Sequence, residues 1–285
     1  MNLFRLTYPS GPYRVVGYLG LPGNLSASED TLAKALHDHY EVYNLNVTKL
    51  SDSYAPSATR IQFEPAPDDK YPVLIYCRGG MGKFGSVRTK WMESFCRHGY
   101  IVFAPCYRGN EGGEGRDEFG GADLEDVAST YRFLQQLVFV NPAEISIMGF
   151  SRGAINAAQA ASQLKDVHRL ILWGGVSDLA QTYEQRVDLR RMLKRVLGGT
   201  PSKVPEAYQF RSPALFAPDL NCPVLVIHGE QDTQVDIEQG RTMYRVLKSL
   251  NKQVWLHSYP QSGHIFADTL FEKAVNRMMT WIREL

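Results

Sequence analysis

From about residue 70 onward, short apolar runs alternate with amphipathic stretches, and this alternation constrains the fold more than any other feature of the sequence. The runs are apolar at consecutive positions, as expected of strands that are covered on both faces. They occupy residues 72–77, 100–106, 144–150, 169–175, 223–229 and 253–259. Helical patterns lie between or after them, at residues 124–138, 152–164, 236–250 and 267–283. Such alternation predicts an α/β fold, with a doubly wound, mostly parallel sheet flanked by helices.

Two segments depart from this alternation. In residues 1–70, the runs 14–22 and 59–66 are typical of antiparallel edge strands, and a helical pattern lies between them at 28–40. Residues 176–220 insert a charged helical segment before the run 223–229. We expect one domain over residues 1–285, with 1–70 as an N-terminal elaboration and 176–220 as a cap-like helical insertion. Loops at the carboxyl ends of parallel strands build ligand sites, so we expect one or both of these elaborations to shape the pocket.

Composition and charge exclude several classes of partner. The net charge is +1 and no long run of like charge occurs, which argues against nucleic acid. No segment approaches the roughly 18 apolar residues of a membrane span, and the first residues lack a signal-peptide pattern. We therefore expect no membrane partner and a cytoplasmic location, with buried free thiols. The four cysteines show no C-x-x-C spacing; they are Cys77, Cys96, Cys106 and Cys222.

The segment GFSRGA, residues 149–154, places Ser151 between Gly149 and Gly153. A predicted strand precedes it and a predicted helix follows it, which is the context of a nucleophile elbow. The turn is so tight that side chains at the two glycine positions would clash with neighbouring backbone. It would lift the serine hydroxyl above the sheet, at the start of a helix. The alternative is an ordinary serine that caps the helix.

A serine nucleophile needs a base, and the base needs an acid that orients it. On this fold the acid and then the histidine follow the serine, each in a loop after a later strand. Asp232 follows the run 223–229 and His264 follows the run 253–259, so we assign the acid and the base to them. The other acids considered are Asp236, which is also placed to cap a helix, Glu230 and Asp219. The other histidines lie within strands, on the N-terminal helix or before strands; they are His228, His257, His37, His39, His98 and His168.

Backbone amides are the predicted oxyanion donors. One is the amide of Arg152, directly after the serine, and the other comes from the loop RGGMGKFG at 78–85. Glycines let an amide approach a ligand without obstruction, and we prefer Gly80, with Gly79 second. Phosphate binding is the alternative for this loop, but the G-x-x-x-x-G-K-[ST] spacing is absent. The predicted chemistry requires no metal and no organic cofactor.

Four segments of residues 70–285 resemble the α/β-hydrolase domain of the prolyl-oligopeptidase family of serine peptidases and related esterases. YPVLIYCRGGMG is similar to that family's strand and H-G-G-P loop, and YRGNEGGEGRDEFGGADLEDV to its Y-R-G-S-x-G-Y-G stretch and following helix. RSPALFAPDLNCPVLVIHGEQDTQV and PQSGHIF are similar to the segments that carry its catalytic aspartate and histidine. The resemblance implies that this chain is an α/β-hydrolase.

Two residues of the oxyanion loop depart from the family pattern, and both are candidates for the substrate pocket. Arg78 stands where the family usually has histidine, and Met81 where it has proline. A guanidinium that faces the cleft would favour substrates with a carboxylate. The alternative is that Arg78 and Arg108 form structural ion pairs with acids such as Asp123 or Glu125.

The first 70 residues contain nothing similar to the β-propeller by which the family's peptidases admit only short peptides. We therefore expect first an esterase that cleaves carboxylic esters or small amides through an acyl-enzyme. The alternative is an oligopeptidase or aminopeptidase-like enzyme, and the expected partner is a small ester or a short peptide. A non-catalytic hydrolase-fold binding protein is the second alternative, although a pure binder has no need of the full set of Ser151, Asp232 and His264.

Overall fold

The computed structural model describes residues 1–51 and 70–284, and a mixed sheet of nine strands runs through this part of the chain. The strands are β1 Asn2–Ser10, β2 Tyr13–Leu21, β3 Val47–Ser51, β4 Tyr71–Cys77, β5 Ile101–Pro105, β6 Val140–Phe150, β7 Leu170–Trp173, β8 Val224–Gly229 and β9 Val254–Tyr259. Their spatial order is β3-β1-β2-β5-β4-β6-β7-β8-β9. The strands from β4 to β9 pair in parallel, whereas β1, β2 and β3 add an antiparallel end, so the predicted mostly parallel sheet is confirmed.

Helices cover both faces of this sheet, which is why its strands are apolar at consecutive positions. The helices are α1 Glu29–Tyr40, α2 Thr89–Cys96, α3 Leu124–Leu134, α4 Gly153–Gln163, α5 Leu179–Gln185, α6 Arg190–Leu197, α7 Pro205–Gln209, α8 Ile237–Ser249 and α9 Asp268–Glu284. In β4, Val73 and Ile75 join the core under α1, α3, α4 and α8, whereas Leu74 and Tyr76 join the core under α2 and α9.

The N-terminal part of the sheet differs from the prediction. The run 14–22 forms β2, but β2 lies between β1 and β5 and is not an edge strand. Strand β1 was missed although its residues alternate, with Phe4, Leu6 and Tyr8 buried against the core. The predicted strand 59–66 lies outside the described residues.

The insertion between β7 and β8 forms its own small apolar cluster beside the carboxyl ends of the strands. Its predicted charged helix is two helices, α5 and α6, joined by a 3-10 turn at Val187–Leu189. Leu179, Tyr183 and Leu193 pack there against Ile155 of α4. The insertion is thereby held above the start of α4, where Ser151 lies.

All four cysteines are free and buried, as predicted. Burial raises the pKa of Cys77 and of Cys106 to about 12. These thiols therefore remain protonated at neutral pH.

In residues 1–51 and 70–284, no helix has the length and apolar character needed to cross a bilayer.

Candidate active site

A cavity of about 1300 Å³ opens at the carboxyl ends of the parallel strands. Six segments of the chain wall it: the loops after β4, β5, β8 and β9, the turn between β6 and α4, and the insertion. Ser151 and His264 both line it, together with Gly79, Gly80 and Met81. This position is where open parallel sheets bind ligands.

The turn at Ser151 has the backbone conformation of a nucleophile elbow. Ser151 has a φ of +56°, which is uncommon for a residue with a side chain. Its amide donates to the Trp173 carbonyl at 2.9 Å, and this bond ties the turn to β7. A Cβ at Gly149 would lie 2.5 Å from the Ala154 Cα, and one at Gly153 would overlap the Cys77 carbonyl oxygen. The sequence pattern therefore reflects close backbone contacts that only glycine allows.

Asp232 and His264 meet across the loops after β8 and β9. His264 Nδ1 donates to Asp232 Oδ2 at 2.7 Å, and both residues are buried. Asp232 Oδ1 accepts the amides of Gln234 and Val235 at 2.8 and 2.9 Å. Burial alone raises the pKa of Asp232, but the bond from His264 and these amides outweigh it and leave the pKa below its usual range. An ionised carboxylate only accepts, so His264 carries its proton on Nδ1 and Nε2 is left as an acceptor.

The neighbouring acid and histidine residues occupy other positions. Asp236 caps α8, because its carboxylate accepts the amide of Glu238. His228 is fully buried behind Asp232, with its Nε2 3.5 Å from Asp232 Oδ2 and donating to the Val235 carbonyl at 2.9 Å. Burial lowers the pKa of His228, so this ring is neutral. It supports the carboxylate and does not line the cavity described above.

The carbonyls of the loop after β4 are held by two buried guanidinium groups. Arg78 Nη1 donates to the carbonyls of Gly79 and Gly80 at 3.1 and 3.2 Å, and Arg152 Nη1 donates to the Gly80 carbonyl at 3.0 Å. In a trans peptide the N–H points opposite to the C=O, so the amides of Gly80 and Met81 point away from the two guanidinium groups. No backbone hydrogen bond among the described residues uses the amides of Gly80 and Arg152 as donors.

Arg78, one of the two candidates for the substrate pocket, does not line the cavity. Its side chain is fully buried, and its Nη2 donates to the Cys106 carbonyl at 2.6 Å and lies 3.7 Å from Asp117. The alternative of a structural role is correct in kind, but the acids named for it are not the partners. Arg108 pairs with Asp126 at 2.7 Å. Arg78 thus donates to three carbonyl oxygens beneath the loop after β4, and it shares only the Gly80 oxygen with Arg152.

The side chain of Arg152 has a role that the sequence analysis did not find. It is buried and donates to Asp117 at 2.9 and 3.0 Å and to Asp123 at 2.6 Å. Asp123 also accepts the Asn156 amide group at 2.9 Å. Burial raises the pKa of Asp117, but Arg152 outweighs this and leaves the pKa below its usual range. The only sequence signal for this network is the stretch 107–127, whose acids match a family pattern.

Replacement of Asp117 by asparagine is expected to lower the free energy of unfolding by about 2–4 kcal/mol at neutral pH, because Arg152 loses one of its two buried carboxylates. The pKa of Asp117 is depressed in the folded state, so its contribution is complete above its unfolded-state pKa of about 4 and is lost as the pH falls further. The destabilisation should therefore shrink below about pH 4. Urea unfolding of both proteins across this pH range measures it.

Glu125→Gln is the matched control, because Glu125 forms an exposed ion pair with Arg132. This substitution should change the free energy of unfolding by no more than about 1 kcal/mol. Equal effects of the two substitutions would contradict the structural role given to the buried network.

The fold and the cavity define the class of this protein: it is a serine hydrolase with the α/β-hydrolase fold. Residues 86–285 match the family model "Prolyl oligopeptidase family". The chain is 43% identical over 221 residues to "Uncharacterized peptidase YtmA" of Bacillus subtilis (strain 168), which covers 77% of this chain and 86% of that protein. This chain belongs to the prolyl oligopeptidase family.

Two longer proteins match this chain over part of their own length. The acylamino-acid-releasing enzyme of Sus scrofa is 24% identical over 254 residues, which span 83% of this chain and 33% of that enzyme. The solved structure of Pyrococcus horikoshii acylaminoacyl peptidase superposes with a TM-score of 0.71 at 19% identity, over 97% of this chain and 40% of that chain. This chain thus spans about a third to two fifths of these two relatives, and the structural likeness concerns the fold.

Proposed function

We propose that this protein is a serine peptidase that cleaves short peptides through an acyl-enzyme on Ser151. The observation that carries the proposal is the 2.7 Å bond between His264 and Asp232, beside a serine held at positive φ in the same cavity. A buried pair of this kind has a clear use next to a nucleophile, because it fixes the imidazole with a free Nε2. No metal or cofactor takes part in the proposed steps.

The proposed reaction has two halves. His264 Nε2 takes the Ser151 proton while Oγ attacks the scissile carbonyl, and the imidazolium then gives that proton to the leaving amine as the C–N bond breaks. Water attacks the acyl-enzyme with His264 as base, and the proton returns to Ser151 as the acid product leaves. Asp232 stays ionised throughout and stabilises the imidazolium.

The proposed oxyanion hole combines the amides of Gly80 and Arg152. Both donors lack a backbone partner within the described ranges, and a donor of this kind is worth about 3–4 kcal/mol in the transition state. Arg78 behind the loop supports the assignment of Gly80, since a cation on the Gly79 carbonyl polarises the Gly79–Gly80 peptide group toward a stronger N–H donor. Gly79 leaves space beside the Ser151 side chain, because a Cβ at position 79 would lie only 2.9 Å from the Ser151 Cβ.

Peptides are favoured over esters because the relatives described above carry the names of peptidases. None of the relatives described above carries the name of an esterase, which was the first expectation from the sequence. A triad with an oxyanion hole cleaves activated esters in either case, so ester turnover alone does not separate the two functions.

The test is a matched pair of substrates, N-acetyl-alanine p-nitroanilide and N-acetyl-alanine p-nitrophenyl ester, which form the same acyl-enzyme. We expect both to be hydrolysed, with the larger acceleration over the uncatalysed rate for the anilide, because a peptidase stabilises expulsion of a poor amine leaving group. Ester hydrolysis without measurable anilide hydrolysis would make the protein an esterase. Ser151→Ala protein corrects both rates for contaminating hydrolases.

A further inference from the structure

The charged residues that line the cavity are predominantly arginines. Two of them are neutralised by the aspartates of the cavity wall, since Arg152 pairs with Asp117 and Arg186 pairs with Asp188. The remaining arginines have no ion pair within residues 1–51 and 70–284, and they are Arg88, Arg116 and Arg195. The chain as a whole has a net charge of only +1, so positive charge is concentrated in this cavity. Such a cleft attracts anions.

Arg88 is the unpaired arginine whose position relative to the catalytic residues is best defined. It directly precedes α2, and its guanidinium lies over the rings of Trp91 and Phe150, 5.5 Å from each centroid. The Phe150 ring in turn packs against the His264 ring, with their centroids 4.8 Å apart. Arg88 therefore lies on the His264 side of the cavity. The edge of a guanidinium presents N–H groups in a geometry that matches a planar, two-oxygen acceptor.

The side of the cavity decides which part of the substrate Arg88 meets. His264 gives its proton to the leaving group, so the leaving group lies against the imidazole. We propose that Arg88 binds a carboxylate on the leaving group, so that the enzyme favours peptides with a free C-terminal carboxylate just beyond the scissile bond. This inference rests on the proposed function and assigns its substrate class. Arg116 and Arg195 add to the attraction without a defined contact.

The remainder of the cavity wall suits such a substrate. Its apolar residues include Met81, Phe119, Met192 and Val235, which offer contacts to uncharged side chains. No glutamate belongs to the described lining, and its two aspartates are already paired with arginines. A carboxylate therefore meets unpaired cations here, whereas a cationic leaving group meets only repulsion.

The test uses two esters with the same acetyl group, 4-nitrophenyl acetate and 3-carboxy-4-nitrophenyl acetate. They give the same acyl-enzyme, so the ratio of their kcat/KM values, each divided by the rate in buffer, reports only the carboxylate of the leaving group. The ratio is the corrected kcat/KM for the anionic ester divided by that for the neutral ester. We expect Arg88→Met to lower this ratio about three- to tenfold. Raising the salt concentration to about 0.5 M should lower the ratio of the unmodified enzyme toward that of the variant, because the contact is open to solvent.

Lys90→Met is the matched control, because it removes a cation two residues away that lines a neighbouring groove. The ratio should stay within about twofold in this variant, since a charge outside the cavity is screened by solvent. A ratio that is unchanged in Arg88→Met, with both esters hydrolysed, would overturn the inference and leave the proposed function standing. If the unmodified enzyme hydrolysed neither ester, the proposed function and this inference would fail together.

The same contrast extends to peptides. N-acetyl-alanyl-alanine with a free carboxylate should be cleaved with a higher kcat/KM than its C-terminal amide, and Arg88→Met should remove most of that difference. A preference for the amide in the unmodified enzyme would contradict the assigned substrate class even if the ester ratio behaved as expected.

Discussion

Replacement of Ser151 by alanine is expected to lower kcat/KM for every substrate by about 10⁵-fold or more. The proposed mechanism gives no role to the other hydroxyl groups of the cavity, so what activity remains would come from the oxyanion amides and substrate binding alone. The folded structure should persist, because the tie between the Ser151 amide and the Trp173 carbonyl does not involve the removed hydroxyl. Steady-state kinetics with p-nitrophenyl acetate and a thermal unfolding curve measure the two properties together.

A matched control is Ser86→Ala, which removes a hydroxyl from the wall of the same cavity without touching the elbow. Turnover of the Ser151 variant at a level within tenfold of the unmodified enzyme would mean that another group forms the acyl-enzyme. Loss of the unfolding transition would instead mean that the variant reports on folding.

Asp232→Asn should lower kcat by about 10⁴-fold with little change in the fold. The asparagine oxygen can still accept the amides of Gln234 and Val235, which turns its NH₂ group toward His264. This group donates to Nδ1 and moves the imidazole proton to Nε2, where it blocks proton transfer from Ser151. The kcat at neutral pH, with the unfolding temperature as a companion, measures the effect.

Asp236→Asn tests whether the effect belongs to Asp232. Asp236 caps α8, and asparagine caps a helix about as well as aspartate does, so both activity and stability should be nearly unchanged. If Asp236→Asn caused the larger loss of activity, the acid of the triad would have been assigned to the wrong residue.

The sequence was sufficient wherever a signal is local in the chain. Each strand from β4 to β9 contains a short apolar run that is visible in the sequence. The elbow is likewise visible as two glycines on either side of one serine. Asp232 and His264 were found because a known fold brings the ends of β8 and β9 to the same edge of the sheet. Strand β1 carries the same kind of local signal, because Phe4, Leu6 and Tyr8 alternate with less buried residues, so this strand too is predictable from the sequence.

The sequence was insufficient for residues whose role depends on distant partners. Nothing near Arg78 or Arg152 shows that both guanidinium groups converge on the Gly80 carbonyl, because that contact joins the loop after β4 to the start of α4. Whether a buried arginine forms an ion pair depends on which carboxylate lies beside it in the folded chain. Asp117, which pairs with Arg152, is 35 residues away from it in sequence. Local patterns predict burial, whereas such pairings follow only from the folded chain.

The central claim is that Ser151 is the nucleophile, and covalent labelling tests it most directly. The protein is incubated with a fluorophosphonate, and mass spectrometry of its peptides locates the phosphonylated residue. We expect one adduct, on Ser151, with none on the folded Ser151→Ala variant and much slower labelling of Asp232→Asn. An adduct on another serine, or no adduct on a folded protein, would contradict the assignment of Ser151 as the nucleophile.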